Sequence, residues 1–155
     1  MAGKKIEDLS EIGALVNKSV YGVLSMSDGG SPYAVPLNII WDDGYFYLHS
    51  GLKGRKMEIL AKNPKVSLTF VPEASFVVRH ERSACGASMD FTSICVSGTA
   101  EVLGEGSSLD QRRDWLMKIV RHYGLEKLPI DEPVLAKTGV VRVRPDFITA
   151  MRKPG

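Results

Sequence analysis

Between residues 21 and 50 the chain reads YGVLSMS, DGGS, PYAVPLNIIW, DDG, YFYLHS: three short β-type runs separated by two tight-turn signals. Asp-Gly-Gly and Asp-Asp-Gly suit hairpin turns, whose central residues need positive φ. Hairpins make the sheet antiparallel, and closing it into a barrel hides its edges. The second run places Tyr33, Val35, Leu37 and Ile39 on one face. The third alternates Tyr45, Tyr47 and His49 against Phe46, Leu48 and Ser50.

Three further runs read as strands: KVSLTFV, TSICVSGTAEVL with a bend at Gly98, and GVVRVRPDFITAM. Helices interrupt them. Residues 7–17 carry the stripe Leu9, Ile12, Gly13, Val16, with Asp8 or Ser10 as cap. Ser108 and Gln111 have capping-box spacing and open an amphipathic helix burying Trp115, Leu116, Ile119, Val120 and Tyr123. That stripe is assigned to the core or to a dimer interface, and Trp41 to packing. Residues 72–90 are polar and irregular and read as a loop or lid. No internal repeat or linker appears. The expectation is a single domain over residues 1–155: a mainly β, six-stranded antiparallel barrel with flanking helices.

Bulk properties exclude several function classes. The net charge of +2 argues against a general nucleic-acid surface. No apolar run approaches the roughly 20 residues of a membrane span, and MAGKKIEDLSEIGALVNK lacks the apolar region of a signal peptide. Two cysteines, Cys85 and Cys95, are too few for a disulfide framework and fit a reducing cytoplasm. Asn17-Lys18-Ser19 matches a glycosylation pattern by chance in such a protein. His80 and Cys85 are the only close pair of metal-type ligands, and a structural zinc site needs four, so no metal is expected.

One local feature asks for an explanation. HSGLKGRK runs into MEILAKNPK, where Met57, Leu60 and Ala61 give a helical face ending before Asn63-Pro64. Lys53, Arg55 and Lys56 therefore crowd the positive end of a helix dipole, where a cation costs roughly 0.3–1 kcal/mol. A phosphate would resolve this. Free N–H groups and the dipole favour an anion there, Gly51 and Gly54 let the backbone come close, and Ser50 can donate a hydroxyl bond. Arg55 can bind it with two hydrogen bonds, while Lys53 and Lys56 add point charges. The alternative is a solvated basic face at a strand-to-helix turn.

The order and spacing of several stretches resemble the FMN-binding split-barrel superfamily that includes pyridoxamine 5′-phosphate oxidase. They are the glycine strand GVLSM, the Pro36-Leu37 strand, Tyr47-Leu48-His49-Ser50, Gly51-Leu52-Lys53 and Asn63-Pro64-Lys65-Val66. Within it the chain is most similar to the nitroimidazole-resistance-like branch, through Cys85, Phe91, Ser93, VSGTAEV and the helix ending His122-Tyr123. The resemblance covers roughly residues 9–152. It implies an FMN split barrel in which two chains share two flavins at their interface. By matching position, Pro36, Leu37 and Asn38 would line the isoalloxazine edge, and His49 and Ser50 the ribityl phosphate. Lys53, Arg55 and Lys56 would hold the phosphate; Phe91 and Ser93 would serve the partner's flavin. The branch usually ends on an Ile-Thr-Gly-Lys pattern, whereas this chain has Ile148-Thr149-Ala150-Met151-Arg152.

The resulting expectation is a cytoplasmic FMN-dependent oxidoreductase, with FAD also possible. It would act on a small planar or nitro-aromatic compound with a nicotinamide or other electron donor. The cofactor carries such chemistry, which accounts for the lack of a Gly-x-Ser-x-Gly elbow or a Cys-x-x-Cys pair. His49 either orients the phosphate or acts as a catalytic acid. A second possibility is a non-catalytic flavin or haem carrier using His49, His80, His122 or Cys85. A third is pyridoxamine phosphate oxidation, with Arg142, Arg144 and Arg152 on a second phosphate; Arg142 and Arg144, alternating with valines, read as an exposed face.

Overall fold

A computed structural model describes residues 3–153. The elements run β1 (Lys4–Lys5), α1 (Leu9–Lys18), β2 (Gly22–Asp28), β3 (Ser31–Leu37), β4 (Ile40–Asp42), β5 (Tyr45–Gly51), α2 (Arg55–Lys62) and β6 (Lys65–Val78). A 3-10 turn (Ala84–Gly86), β7 (Ala87–Leu103), α3 (Leu109–His122), α4 (Glu132–Ala136) and β8 (Thr138–Lys153) complete them. All strand pairs are antiparallel, in the order β3-β2-β6-β7-β8-β5-β4, with β1 beside β8.

The two ends of this sheet are β3 and β4, yet only Asn38 and Ile39 separate them in the chain. A sheet whose opposite edges are joined by two residues must curl round on itself. The barrel is thus closed by chain and split between ladders, as expected. The strand count differs from the six expected: the described residues form eight. PYAVPLNIIW is not one strand, because β3 pairs with β2 while β4 pairs with β5, and Lys4–Lys5 adds a short strand.

Residues 72–90 also depart from expectation. They are no irregular lid: Glu73–Val78 pairs with Ala87–Thr92 in a long two-stranded arm. A register shift between Phe70 and Glu73 sets it off, around Pro72, which has no N–H to give the ladder. The arm has no core behind it; Phe76 and Val78 are exposed, so it carries no clean alternation.

The barrel is filled by Leu24, Met26, Phe46, Leu48, Leu68, Phe70, Ile94, Val96, Val141 and Val143, with Ile12 and Val16 of α1 and Met57, Ile59 and Leu60 of α2. Asp8 caps α1, its carboxylate accepting from the amides of Ser10 and Glu11 at 2.7 and 3.0 Å. Gly13 lets Trp41 lie on α1, since a Cβ there would stand 2.4 Å from the indole. Trp41 also meets Phe46 edge-on at 4.8 Å, so it is a packing residue. A second small core, Ile40, Tyr47, Ile119 and Val140 with Trp115 and Leu116, seats α3 on the outer face of β5 and β8. Tyr123, expected on that buried side, instead ends α3 and is exposed.

Candidate functional site

The turn from β5 into α2 is built from glycine. Gly54 is the N-cap of α2, with φ at 115°, a conformation L side chains rarely adopt, and no side chain caps the helix. Its carbonyl accepts the first intrahelical bond from Glu58 at 3.1 Å, so the earlier amides of the turn have no partner within the helix. Buried Met57, Ile59 and Leu60 anchor α2 to the barrel, which fixes where this end points.

Lys53 and Arg55 are exposed here and Lys56 is half-buried. Among the described residues no carboxylate pairs with any of the three; ion pairs engage eight of the chain's 20 lysines and arginines, so what sets these three apart is their clustering at one helix start. Partial burial pulls the Lys56 ammonium below its usual pKa. The Arg55 guanidinium lies 4.6 Å over the ring of Tyr33 on β3.

His49 stands at the end of β5. The alternation that turns Phe46 and Leu48 into the barrel sends His49 to the same side as Tyr47 and Ser50 to the other. His49 is exposed as a residue, yet desolvation of its ring first, and the charge of Lys56 second, lower its pKa from 6.5, so the neutral imidazole predominates at pH 7. The folded value lies below the unfolded one. The neutral imidazole's contribution to stability is therefore complete above pH 6.5 and is lost as the pH falls through the folded value. The stability of wild type relative to His49→Gln, measured by urea titration, should decline as the pH falls below 6.5; a difference independent of pH would contradict it.

The other expected site residues fall in different places. Pro36 is exposed and Leu37 half-buried at the end of edge strand β3. Asn38 follows, its amide donating to the Val20 carbonyl at 3.2 Å. Phe91 and Ser93 lie far off along the sheet: His49 pairs with Val140 and Ser93 with Met151, eleven residues further along β8. That is about 36 Å of strand. One chain does not bring them to the basic cluster. Two open grooves lie away from that cluster too: one of 470 Å³ over Ser25, Lys65, Ser97 and Asp146, and one of 490 Å³ at Phe91, Glu73 and Arg152.

Arg142 corrects the sequence reading. It is not on an exposed face but half-buried between Tyr45 and Trp115, 4.4 and 4.5 Å from their ring centres, and bound to Glu101 at 2.6 Å. Arg152 pairs with Glu11 at 3.0 Å. Both are engaged in holding helices to the barrel.

The sequence profile of the family described as pyridoxamine 5′-phosphate oxidase matches residues 8–152. The chain belongs to the pyridoxamine 5′-phosphate oxidase family. Among solved structures, similarity extends to a candidate 5-nitroimidazole antibiotic resistance protein from Bacteroides thetaiotaomicron. The two are 27% identical over 99% of this chain and 92% of that one, with a TM-score of 0.80. An FAD- and haem-binding protein from Mycobacterium smegmatis is 18% identical (98% and 74% covered, TM-score 0.85). The flavocytochrome Anf3 from Azotobacter vinelandii is 19% identical (97% and 70%, TM-score 0.81). The likeness to these last two is one of fold. Among curated proteins none matches. No helix among the described residues is long and apolar enough to cross a membrane.

Proposed function

We propose that this member of the pyridoxamine 5′-phosphate oxidase family binds FMN by its phosphate at Ser50–Lys56 and is an oxidoreductase for a small planar or nitro-aromatic compound. The observation that carries this is the start of α2, entered through Gly54 with no side-chain cap and carrying Lys53, Arg55 and Lys56, which have no carboxylate partner among the described residues. A solvated basic face would gain from local acidic partners; an anion site is better without them. The donors present suit a phosphate: a fork at Arg55, ammonium groups at Lys53 and Lys56, first-turn amides and the Ser50 hydroxyl. FAD would present the same phosphate chemistry.

When bound, FMN supplies the electron and hydride chemistry, and a nicotinamide or other donor reduces it as a transient visitor. The chain's own residues bind and orient. Pro36, Leu37 and Asn38 offer their backbone to the isoalloxazine edge. His49, neutral at pH 7, hydrogen-bonds near the phosphate; its lowered pKa favours that orienting role over one as a catalytic acid.

Phe91 and Ser93 reach a flavin through a second copy of the chain. The outer barrel face supports such pairing. Its rows Val23-Thr69-Cys95-Thr149 and Ser25-Ser67-Ser97-Phe147 carry no charge, in a chain that is 25% charged. Charge depletion of that kind marks interface cores. Cys85 and Cys95 are free and exposed, which fits the cytoplasm.

An absorption spectrum of the purified protein, with calorimetric titration of the apo form, tests this. A two-banded flavin spectrum and stoichiometric FMN binding are expected. A single intense Soret band would move the function to haem, and a colourless protein that takes up no FMN would end the flavin reading.

A further inference from the structure

We infer that Tyr33 is a positioning residue: its ring holds the Arg55 guanidinium flat so that the N–H edge faces the anion. The inference rests on the phosphate reading above but concerns a residue outside the basic cluster. Arg55 stands at the first position of α2, exposed and free of any carboxylate among the described residues. Its guanidinium carbon lies 4.6 Å from the Tyr33 ring centre, within cation–π range.

A cation–π contact of this kind takes up no hydrogen bond to the ring face, so the five guanidinium N–H donors stay available to a ligand. A long arginine side chain otherwise loses much rotamer freedom when a ligand immobilises it. The ring removes part of that cost beforehand, which raises affinity without adding any contact to the ligand.

The support under Arg55 is itself anchored. Tyr33 is half-buried and packs against the barrel core. It pairs with Met26, a buried residue of β2, so the ring is held although β3 is an edge strand. Tyr33 also shares a strand face with Val35 and Leu37. One face of β3 thus carries both the support for the phosphate-binding arginine and Leu37, expected at the isoalloxazine edge. Phosphate capture and ring placement are thereby tied to one strand.

The test is a set of FMN dissociation constants, read from quenching of flavin fluorescence, for wild type, Tyr33→Phe, Tyr33→Leu, Arg55→Ala and the Tyr33→Leu/Arg55→Ala double variant. Phenylalanine keeps the π face and should bind like wild type. Leucine should weaken binding about tenfold. In the Arg55→Ala background the same leucine change should cost nothing further, because the ring then has no guanidinium to hold. A leucine effect equal in both backgrounds, or a Tyr33→Phe protein as weak as Tyr33→Leu, would overturn the positioning role. Wild type that binds FMN alongside an unaffected Tyr33→Leu would overturn it while leaving the flavin reading intact. Wild type that fails to bind FMN sinks both.

Discussion

The Arg55→Ala/Lys56→Ala double variant should lose FMN affinity without losing stability, the relieved helix-dipole cost offsetting the lost Arg55–Tyr33 contact. Hydrogen bonds to a charged group are worth about 1.5–3 kcal/mol each and are not additive between neighbours. Removing both side chains should therefore cost about 2–4 kcal/mol, or roughly 30- to 1,000-fold in Kd. The fold is spared for a separate reason. Both cations sit in the first turn of α2, against the positive end of its dipole. Each costs the unliganded helix about 0.3–1 kcal/mol. Lys56 is also half-buried, and desolvation already depresses its pKa. The apo variant should melt at the wild-type temperature or a few degrees above it. Lost affinity without lost stability is the mark of residues kept for a ligand. Unchanged FMN affinity would refute the phosphate site. Lower apo stability would show that these side chains serve the fold.

What could be read in advance divides along physical lines. Helix starts were legible where a side chain announces them: of the two candidates Asp8 and Ser10 it is Asp8 that caps α1, and Ser108 caps α3 as its spacing predicts, accepting from the Gln111 amide. The strand alternation of YFYLHS was legible because each of its faces meets a core, the barrel on one side and α3 on the other. The basic start of α2 stood out because it opposes a rule of helix electrostatics. The break at Asn38–Ile39 carries no such sign, since apolar alternation continues across it while the pairing partner changes. The arm at 73–92 is strand without a core, so hydrophobic periodicity is silent there. Arg142 read as exposed because a charge alternating with valines usually faces water; its stem and guanidinium are instead covered by Tyr45 and Trp115. Tyr33 meets Arg55 across the barrel end, 22 positions apart, and only tertiary structure brings them together.

Arg112→Leu should be strongly damaging for a polar residue outside the site, at about 3–4 kcal/mol. Arg112 is 6% exposed, on the face of α3 turned toward α4 and the start of β8. No carboxylate among the described residues meets it. Its Nη1 donates instead to the carbonyls of Leu135, Ala136 and Thr138 at 3.3, 3.3 and 3.1 Å, and its Nη2 to Ser107 at 3.4 Å. Leu135 and Ala136 are the last residues of α4, whose carbonyl end carries partial negative charge. Helix carbonyls thus take the place of a counter-ion. Removing the guanidinium leaves several carbonyls short of donors in a buried place, and that penalty exceeds the worth of the bonds themselves. Leucine would fill part of the stem's space, so the loss combines the polar network with the void left by the guanidinium. Arg112→Lys should recover only part of it, because one ammonium lacks the fork that spans four acceptors. Thermal melting should show Arg112→Leu lower by roughly 6–16 °C. A loss under about 1 kcal/mol would mean that water can replace the guanidinium there.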